Sequence, residues 1–81
     1  MQIEIRTFAH LKERLSFEQK TVDVPEGTHA GELFSKLTND QHVIDYLTRY
    51  TRCAVNCHFV PLNTILHDGD TVALIPPTAG G

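Results

Sequence analysis

The sequence has little of what builds large, secreted or nucleic-acid-binding proteins. Among its 81 residues there is no Trp, and there are only two Cys, which is too few for the disulfide framework of a small secreted protein. Its seven Lys and Arg are scattered and are outnumbered by ten Asp and Glu, so it lacks the clustered positive charge of a nucleic-acid-binding surface. The longest apolar run, residues 72–75, is far shorter than the ~20 residues that span a bilayer.

These absences predict one small cytoplasmic domain over residues 1–81, with no membrane or nucleic-acid partner. The first fifteen residues include Glu4, Arg6 and Lys12, so they contain no apolar core of a secretion signal. A chain of this length buries only about 60% of its unfolded surface. It therefore has no room for a large enclosed active site.

The apolar residues predict several β-strands. Residues 2–8 alternate, with Ile3 and Ile5 on one face, and residues 20–24 and 53–57 alternate in the same way. Residues 59–62 contain Pro61, which limits them to the edge of a sheet. Residues 71–75 are almost entirely apolar, a pattern typical of a central strand covered on both faces.

Helical periodicity fills the space between the strands. Residues 9–15 predict one or two helical turns. An apolar stripe at i, i+3, i+4 and i+7 predicts the main helix over residues 30–37, with Thr28 as its N-cap, and a shorter helical piece follows around residues 43–47. The order of elements predicts an α+β fold, in which one main helix packs across one face of a mixed sheet.

The most informative segment is the end of the chain, Pro-Pro-Thr-Ala-Gly-Gly at residues 76–81. A Gly-Gly end is expected by chance in roughly 0.5% of chains. Two consecutive Pro favour polyproline II, which rises about 3.1 Å per residue, so the segment could project ~18 Å. A thin, uncharged tip of this kind could thread a narrow channel in another protein and present its own carboxylate. The alternative is an ordinary frayed terminus, and in either case we expect mobility from Thr78 onward.

Several segments resemble the MoaD/ThiS family of ubiquitin-like sulfur carriers. The matching residues run from Ala-Val-Asn at 54–56, through Asp-Gly-Asp at 68–70, to the Pro-Pro-x-x-Gly-Gly end. The Pro76–Pro77 pair is most similar to the carriers that serve molybdopterin synthase. The resemblance implies a β-grasp fold and a carrier protein rather than an independent enzyme.

The resemblance also implies a chemistry. Gly81 would be adenylated with ATP by a ubiquitin-activating-like adenylyltransferase, and a sulfur donor would convert the adenylate to a thiocarboxylate. The tail, with Pro76 and Pro77 as a stiff stem and Gly80 kept small, would enter the large catalytic subunit of a heterotetrameric synthase. There the sulfur would attack cyclic pyranopterin monophosphate. ATP would be used by the activating partner, and the carrier itself would bind no cofactor.

The tail leaves two other functions open. A ubiquitin-like modifier would use the same activation to form isopeptides between Gly81 and Lys residues of target proteins. A carrier for thiamine, cysteine or tRNA thiolation would deliver its sulfur to another acceptor.

Other candidate sites are weaker. Cys53, Cys57 and His58 are the best metal-binding candidates, but they lack zinc-like spacing and a fourth ligand. We therefore expect no metal, and two semi-buried thiols. Asp68 and Asp70 are interpreted as turn residues rather than as a catalytic pair.

Four apolar residues could be partly exposed near the root of the tail. Core packing is the default expectation for each of them, and a docking patch for partner proteins is the alternative. They are Phe8, Phe59, Leu62 and Leu74.

Overall fold

The computed structural model describes residues 1–77. The expectation of a mobile chain from Thr78 onward therefore lies outside the described residues, as do Gly80 and Gly81.

A five-stranded mixed sheet forms the framework of the domain. Its strands are β1 (Gln2–Thr7), β2 (Gln19–Asp23), β3 (Arg52–Val55), β4 (His58–Val60) and β5 (Thr71–Ile75). They lie in the order β2-β1-β5-β3-β4. The last strand in the sequence is thus the central one, parallel to β1 and antiparallel to β3. The edge position predicted around residues 59–62 is confirmed by β4.

The helices cover one face of this sheet. Helix α1 (His10–Leu15) follows β1, a 3₁₀ turn (Ala30–Leu33) leads into the single-turn α2 (Phe34–Leu37), and α3 spans Gln41–Tyr50. The covered face holds a continuous core to which β1, β5 and all three helices contribute. Its largest fully buried side chains include Phe34, Ile3, Ile5, Leu11, Leu33, Leu47 and Leu74. This is the β-grasp arrangement of an α+β fold, as predicted.

The helix lengths differ from the prediction. The expected main helix over residues 30–37 is divided into the 3₁₀ turn and α2, and the expected shorter piece is the longest helix, α3. The backbone N–H groups of Ala30 and Gly31 donate to the carbonyls of Thr64 and Leu62, which ties the first turn to a neighbouring loop. Asp40 begins α3, because its Oδ1 accepts a hydrogen bond from the His42 N–H at 2.9 Å.

The predicted N-cap at Thr28 is wrong. His29 occupies that position, while the Thr28 hydroxyl donates to the Pro25 carbonyl at 2.7 Å. Thr28 therefore closes the turn before the helix rather than capping the helix itself.

Candidate functional site

The tail begins directly at the end of the central strand. β5 is hydrogen-bonded on both sides, to β1 and β3, and Val72 and Leu74 are completely buried. Pro76 is half-buried and Pro77 is exposed. The segment beyond residue 77 therefore follows the central strand of the sheet.

Alternate residues of β5 face opposite sides of the sheet. Val72 and Leu74 point into the core, whereas Thr71, Ala73 and Ile75 are half-buried on the face that carries no helix. The prediction of a strand covered on both faces is therefore wrong, although its central position is confirmed. The uncovered face lies beside the root of the tail.

A shallow groove of about 490 Å³ crosses this uncovered face. Strand register forms its floor, because Arg6 lies beside Ala73, Ala73 beside Ala54, and Ala54 beside Phe59. The two alanines are small, so the larger neighbouring side chains stand above them. Phe8, immediately after β1, lines the groove together with Arg6.

Two arginines border the apolar centre of the uncovered face. The Arg6 Nε donates to Glu4 Oε1 at 2.8 Å, so a carboxylate already balances this charge. The Arg52 guanidinium lies 4.0 Å from the centre of the Phe59 ring, and within residues 1–77 it forms no salt bridge. The face therefore presents an apolar groove with one uncompensated positive charge beside it.

Phe8 and Phe59 are 46% and 55% exposed, so the default expectation that they pack in the core is wrong. Leu74 was also a docking candidate, but it is completely buried opposite Cys53. Strand alternation directs its side chain into the core, and a docking role for it is wrong. Leu62 is half-buried and packs against the core cluster.

The uncovered face also contains residues that the sequence analysis did not select, namely Arg6, Arg52, Ala54 and Ala73. Residues 71–75 look uniformly apolar, which hides their alternation. The neighbouring strand β1 carries the sequence signal for an uncovered face. Its apolar Ile3 and Ile5 alternate with the polar Glu4 and Arg6, so one face of the sheet is polar there.

A hydrogen-bonded turn network fixes the start of β5. The Asn56 side chain donates to Asp70 at 2.9 Å and accepts from the Thr71 N–H at 3.0 Å. Asp68 accepts from the Gln2 N–H at 2.7 Å, and Gly69 has a φ of 86°. These contacts confirm the interpretation of Asp68 and Asp70 as turn residues.

The two cysteines lie in different environments. Cys53 is completely buried, and this burial raises the pKa of its thiol to about 11. Cys57 is exposed in the turn between β3 and β4. The expectation of two semi-buried thiols is therefore wrong, and Cys53 and Cys57 do not converge on a site with His58.

The described residues offer neither a metal-binding cluster nor a membrane-spanning helix. Residues 1–77 contain no cluster of three or more His, Cys, Asp or Glu side chains arranged to hold a metal ion. None of their helices has both the length and the apolar character needed to cross a bilayer.

Comparisons with known proteins match nearly the whole chain. The ThiS family model matches residues 5–81. A molybdopterin synthase sulfur carrier subunit from Chlamydomonas reinhardtii is 31% identical over 100% of both chains. Another from Mycobacterium tuberculosis is 38% identical over 78% of this chain and 76% of its own length.

A solved structure adds a fold comparison. In the complex of subunits 1 and 2 of molybdopterin-converting factor from Helicobacter pylori, a chain is 29% identical and superimposes with a TM-score of 0.67, covering 100% of both chains. The family model agrees with the sequence along residues 5–81, and the solved structure agrees with the fold. The chain belongs to the ThiS family of ubiquitin-like sulfur carriers.

Proposed function

We propose that this protein is the sulfur-carrier subunit of a molybdopterin synthase and that the Gly81 carboxylate carries the sulfur. The observation that carries the proposal is the Pro-Pro-x-x-Gly-Gly segment directly after the central strand. The family match that continues to residue 81 supports it, as do the two relatives named as molybdopterin synthase sulfur carrier subunits.

The proposed chemistry begins at the carboxylate. A carboxylate oxygen of Gly81 attacks the α-phosphorus of ATP on an activating enzyme, and pyrophosphate leaves. A sulfur nucleophile from the donor then attacks the acyl carbon and displaces AMP, which gives the thiocarboxylate. This activation makes a poor electrophile reactive by giving it a good leaving group, as in covalent catalysis generally.

In the transfer step, the thiocarboxylate sulfur attacks a carbon of cyclic pyranopterin monophosphate that carries an oxygen. A carbon–sulfur bond forms as that carbon–oxygen bond breaks, and the displaced oxygen leaves with a proton supplied by the large subunit. Hydrolysis of the resulting thioester returns Gly81 to its carboxylate. Two carriers supply the two dithiolene sulfurs of each product. The acids, bases and phosphate-binding groups for this step belong to the large subunit, and this chain supplies the sulfur and its position.

The described part of the chain is well suited to holding such a tail. β5 is held by hydrogen bonds from two neighbouring strands, so the tail starts from a fixed point. Pro76 and Pro77 restrict the backbone that follows, which reduces the entropy lost when the tail enters a partner. Beyond them no charged side chain or large residue precedes Gly80 and Gly81.

We also propose that the large subunit docks on the uncovered face of the sheet. Phe8, Phe59 and the alanine-floored groove offer apolar area next to the tail root. Arg52 requires a carboxylate opposite it, because a desolvated and unpaired charge is unfavourable. The complex of subunits 1 and 2 from Helicobacter pylori supports a partner of this kind.

A single-turnover reconstitution tests the proposal. The protein is loaded with its host's activating enzyme, ATP and sulfide, purified, and mixed with the large subunit and cyclic pyranopterin monophosphate. We expect it to lose about 16 Da, one sulfur exchanged for one oxygen, as the sulfurated pterin forms. Loading without transfer to the pterin, but with transfer to a thiazole, cysteine or tRNA acceptor, would contradict the assigned pathway. Conjugates to Lys would instead identify a modifier.

A further inference from the structure

The helical side of the molecule carries a second surface that the sulfur-carrier function does not use. Four side chains from α1 and α3 contact one another there, and we call them the helix-side cluster: His10, Arg14, Tyr46 and Tyr50. Helices α1 and α3 place Leu11 and Leu47 in the core. The cluster is therefore separated by the sheet from the groove on its uncovered face.

Tyr46 organises the helix-side cluster. Its hydroxyl is hydrogen-bonded to the His10 Nε2 at 3.0 Å, and the Arg14 guanidinium carbon lies 4.7 Å from its ring centre. The Tyr50 ring centre is 5.2 Å from that of Tyr46. These contacts hold the side chains in place before any partner arrives, which lowers the entropy lost on binding.

Three of the four side chains are exposed, and Tyr46 is half-buried with its inner edge against the core. Tyr50 is 53% exposed, and His10 and Arg14 are also exposed. The fully buried side chains of these two helices are Leu11 and Leu47, which lie outside the cluster. Tyr and Arg are the residue types most enriched at the energetic centres of protein interfaces, and here three such side chains are adjacent.

Two arginines lie on this side, Arg14 on α1 and Arg49 on α3, although the whole chain has a net charge of −3. His42, Tyr46, Arg49 and Tyr50 follow one another at i, i+4, i+7 and i+8, so they share one side of α3. In the described part of the chain neither Arg14 nor Arg49 forms a salt bridge. The acidic residues on these helices and at the α3 cap are Glu13, Asp40, whose Oδ1 accepts from the His42 N–H at 2.9 Å, and Asp45, which accepts from Gln41 at 2.9 Å.

We propose that the helix-side cluster is a second docking surface, which binds an acidic segment of a protein partner. Carboxylates of that segment would pair with Arg14 and Arg49, and an adjacent apolar side chain would lie against the Tyr50 ring. A nucleic acid fits less well, because strong binding requires many phosphate contacts and the net charge of the protein is negative. Since this surface is on the far side of the sheet, one partner could hold the protein here while another receives the tail.

The proposal is tested by NMR titration of the full-length, ¹⁵N-labelled protein with a blocked hexaglutamate peptide. We expect saturable shift changes at residues 10–14 and 42–50 that exceed those at residues 52–59, where Arg52 is a single unpaired charge. A hexaglutamine peptide of equal length is the control for charge. Equal shifts with hexaglutamine, or shifts centred on residues 52–59, would overturn the proposal, and so would tighter binding of single-stranded oligothymidylate.

Two variants and a matched control locate the contact. Arg14→Gln and Arg49→Gln should each weaken hexaglutamate binding about 3- to 5-fold, the effect of one exposed ion pair. Lys36→Gln removes the same charge from α2, which contributes no residue to the cluster, and should leave the affinity unchanged. Equal affinities for the wild type, Arg14→Gln and Arg49→Gln would refute the docking surface. None of these measurements depends on Gly81, so their outcome is independent of the sulfur-carrier proposal.

Discussion

Cys53 lies in the core and Cys57 in an exposed turn, only four residues further along the chain. Burial raises the pKa of the Cys53 thiol from an ordinary value of 9.0 to about 11. Because the thiolate is the nucleophile, Cys53 stays unreactive in the folded protein, whereas Cys57 is open to solvent. The sulfur chemistry that we propose for the tail therefore does not involve the Cys53 thiol.

The raised pKa of Cys53 predicts a loss of stability in alkaline solution. The folded state holds the thiol proton more tightly than the unfolded state, so this contribution is complete below pH 9. It is lost as the pH rises from about 9 to about 11, when only the unfolded chain releases the proton. Denaturant unfolding over this range should show a decrease on the order of 2 to 3 kcal/mol from Cys53.

Cys53→Ala provides the control, because it removes the thiol and leaves every other titrating group. Its free energy of unfolding should start lower, since a buried atom is lost, but should fall less steeply between pH 9 and 11. Identical slopes for the two proteins would mean that Cys53 does not titrate differently in the folded state.

The turn between β3 and β4 predicts a stabilising substitution. Asn56 and Cys57 have φ values of 49° and 72°, as the two central residues of a tight type I′ hairpin turn require. Asn56 offsets the steric cost of this region through the hydrogen bonds of its side chain to Asp70 and Thr71, whereas the Cβ of Cys57 crowds the backbone without such a gain. Cys57→Gly should therefore raise the free energy of unfolding by about 1 kcal/mol in denaturant titrations.

Cys57→Ala is the matched control, because it removes the sulfur and keeps the Cβ. It should leave the stability nearly unchanged. A gain in both variants would point to the thiol rather than to the backbone conformation as the cause.

At the scale of the element, β5 combines two functions on its two faces. Leu74 fills the core opposite Cys53, whereas Ala73 forms the floor of the groove between Arg6 and Ala54. The same strand thus holds the domain together and forms part of the proposed docking surface. Its next residues are Pro76 and Pro77, so docking on this face would orient the tail.

Substitutions at adjacent positions of β5 should separate these two roles. Leu74→Ala should lower the free energy of unfolding by about 2 to 5 kcal/mol, because it leaves a core cavity. Ala73→Asp should change stability by about 1 kcal/mol or less, within the range of strand propensity, yet abolish binding to the large subunit. Calorimetric titration with the large subunit and denaturant unfolding measure the two effects. Undiminished binding by Ala73→Asp would exclude the uncovered face as the docking site.

Sequence patterns predicted the strands well because their periodicity is local. Ile3 and Ile5 alternate with polar residues, and that alternation is enough to place β1. The division of residues 30–37 into a 3₁₀ turn and α2 depends instead on hydrogen bonds from Ala30 and Gly31 to Thr64 and Leu62. Such contacts join distant parts of the chain, and no local pattern reports them.

The same limit applies to the candidate site. Gly81 and the Pro pair could be selected from the sequence, since their chemistry depends on order along the chain. The groove could not, because Arg6, Ala54 and Ala73 become neighbours only through the strand register. Leu74 was misplaced for the same reason, as apolar character alone does not decide which face a residue of β5 occupies.

At the scale of the whole molecule, the sheet separates three features. The uncovered face carries the groove. The core lies between the covered face and the helices, and the helix-side cluster lies on the outer side of those helices. The third feature is the tail, which follows β5. In a domain with a radius of gyration of 11.7 Å, the two proposed docking surfaces therefore do not overlap.

The sulfur-carrier proposal is tested most directly by the intact mass of a chain extended by one Ala after Gly81. The added residue displaces the terminal carboxylate by about 3.3 Å, whereas an error near 1 Å can already reduce a rate by ~100-fold. With activating enzyme, ATP and sulfide, the wild type should gain about 16 Da and the extended chain should not, although both melt at the same temperature. An extended chain that gains this mass and still supports formation of the sulfurated pterin would contradict the assignment of Gly81 as the sulfur-carrying residue.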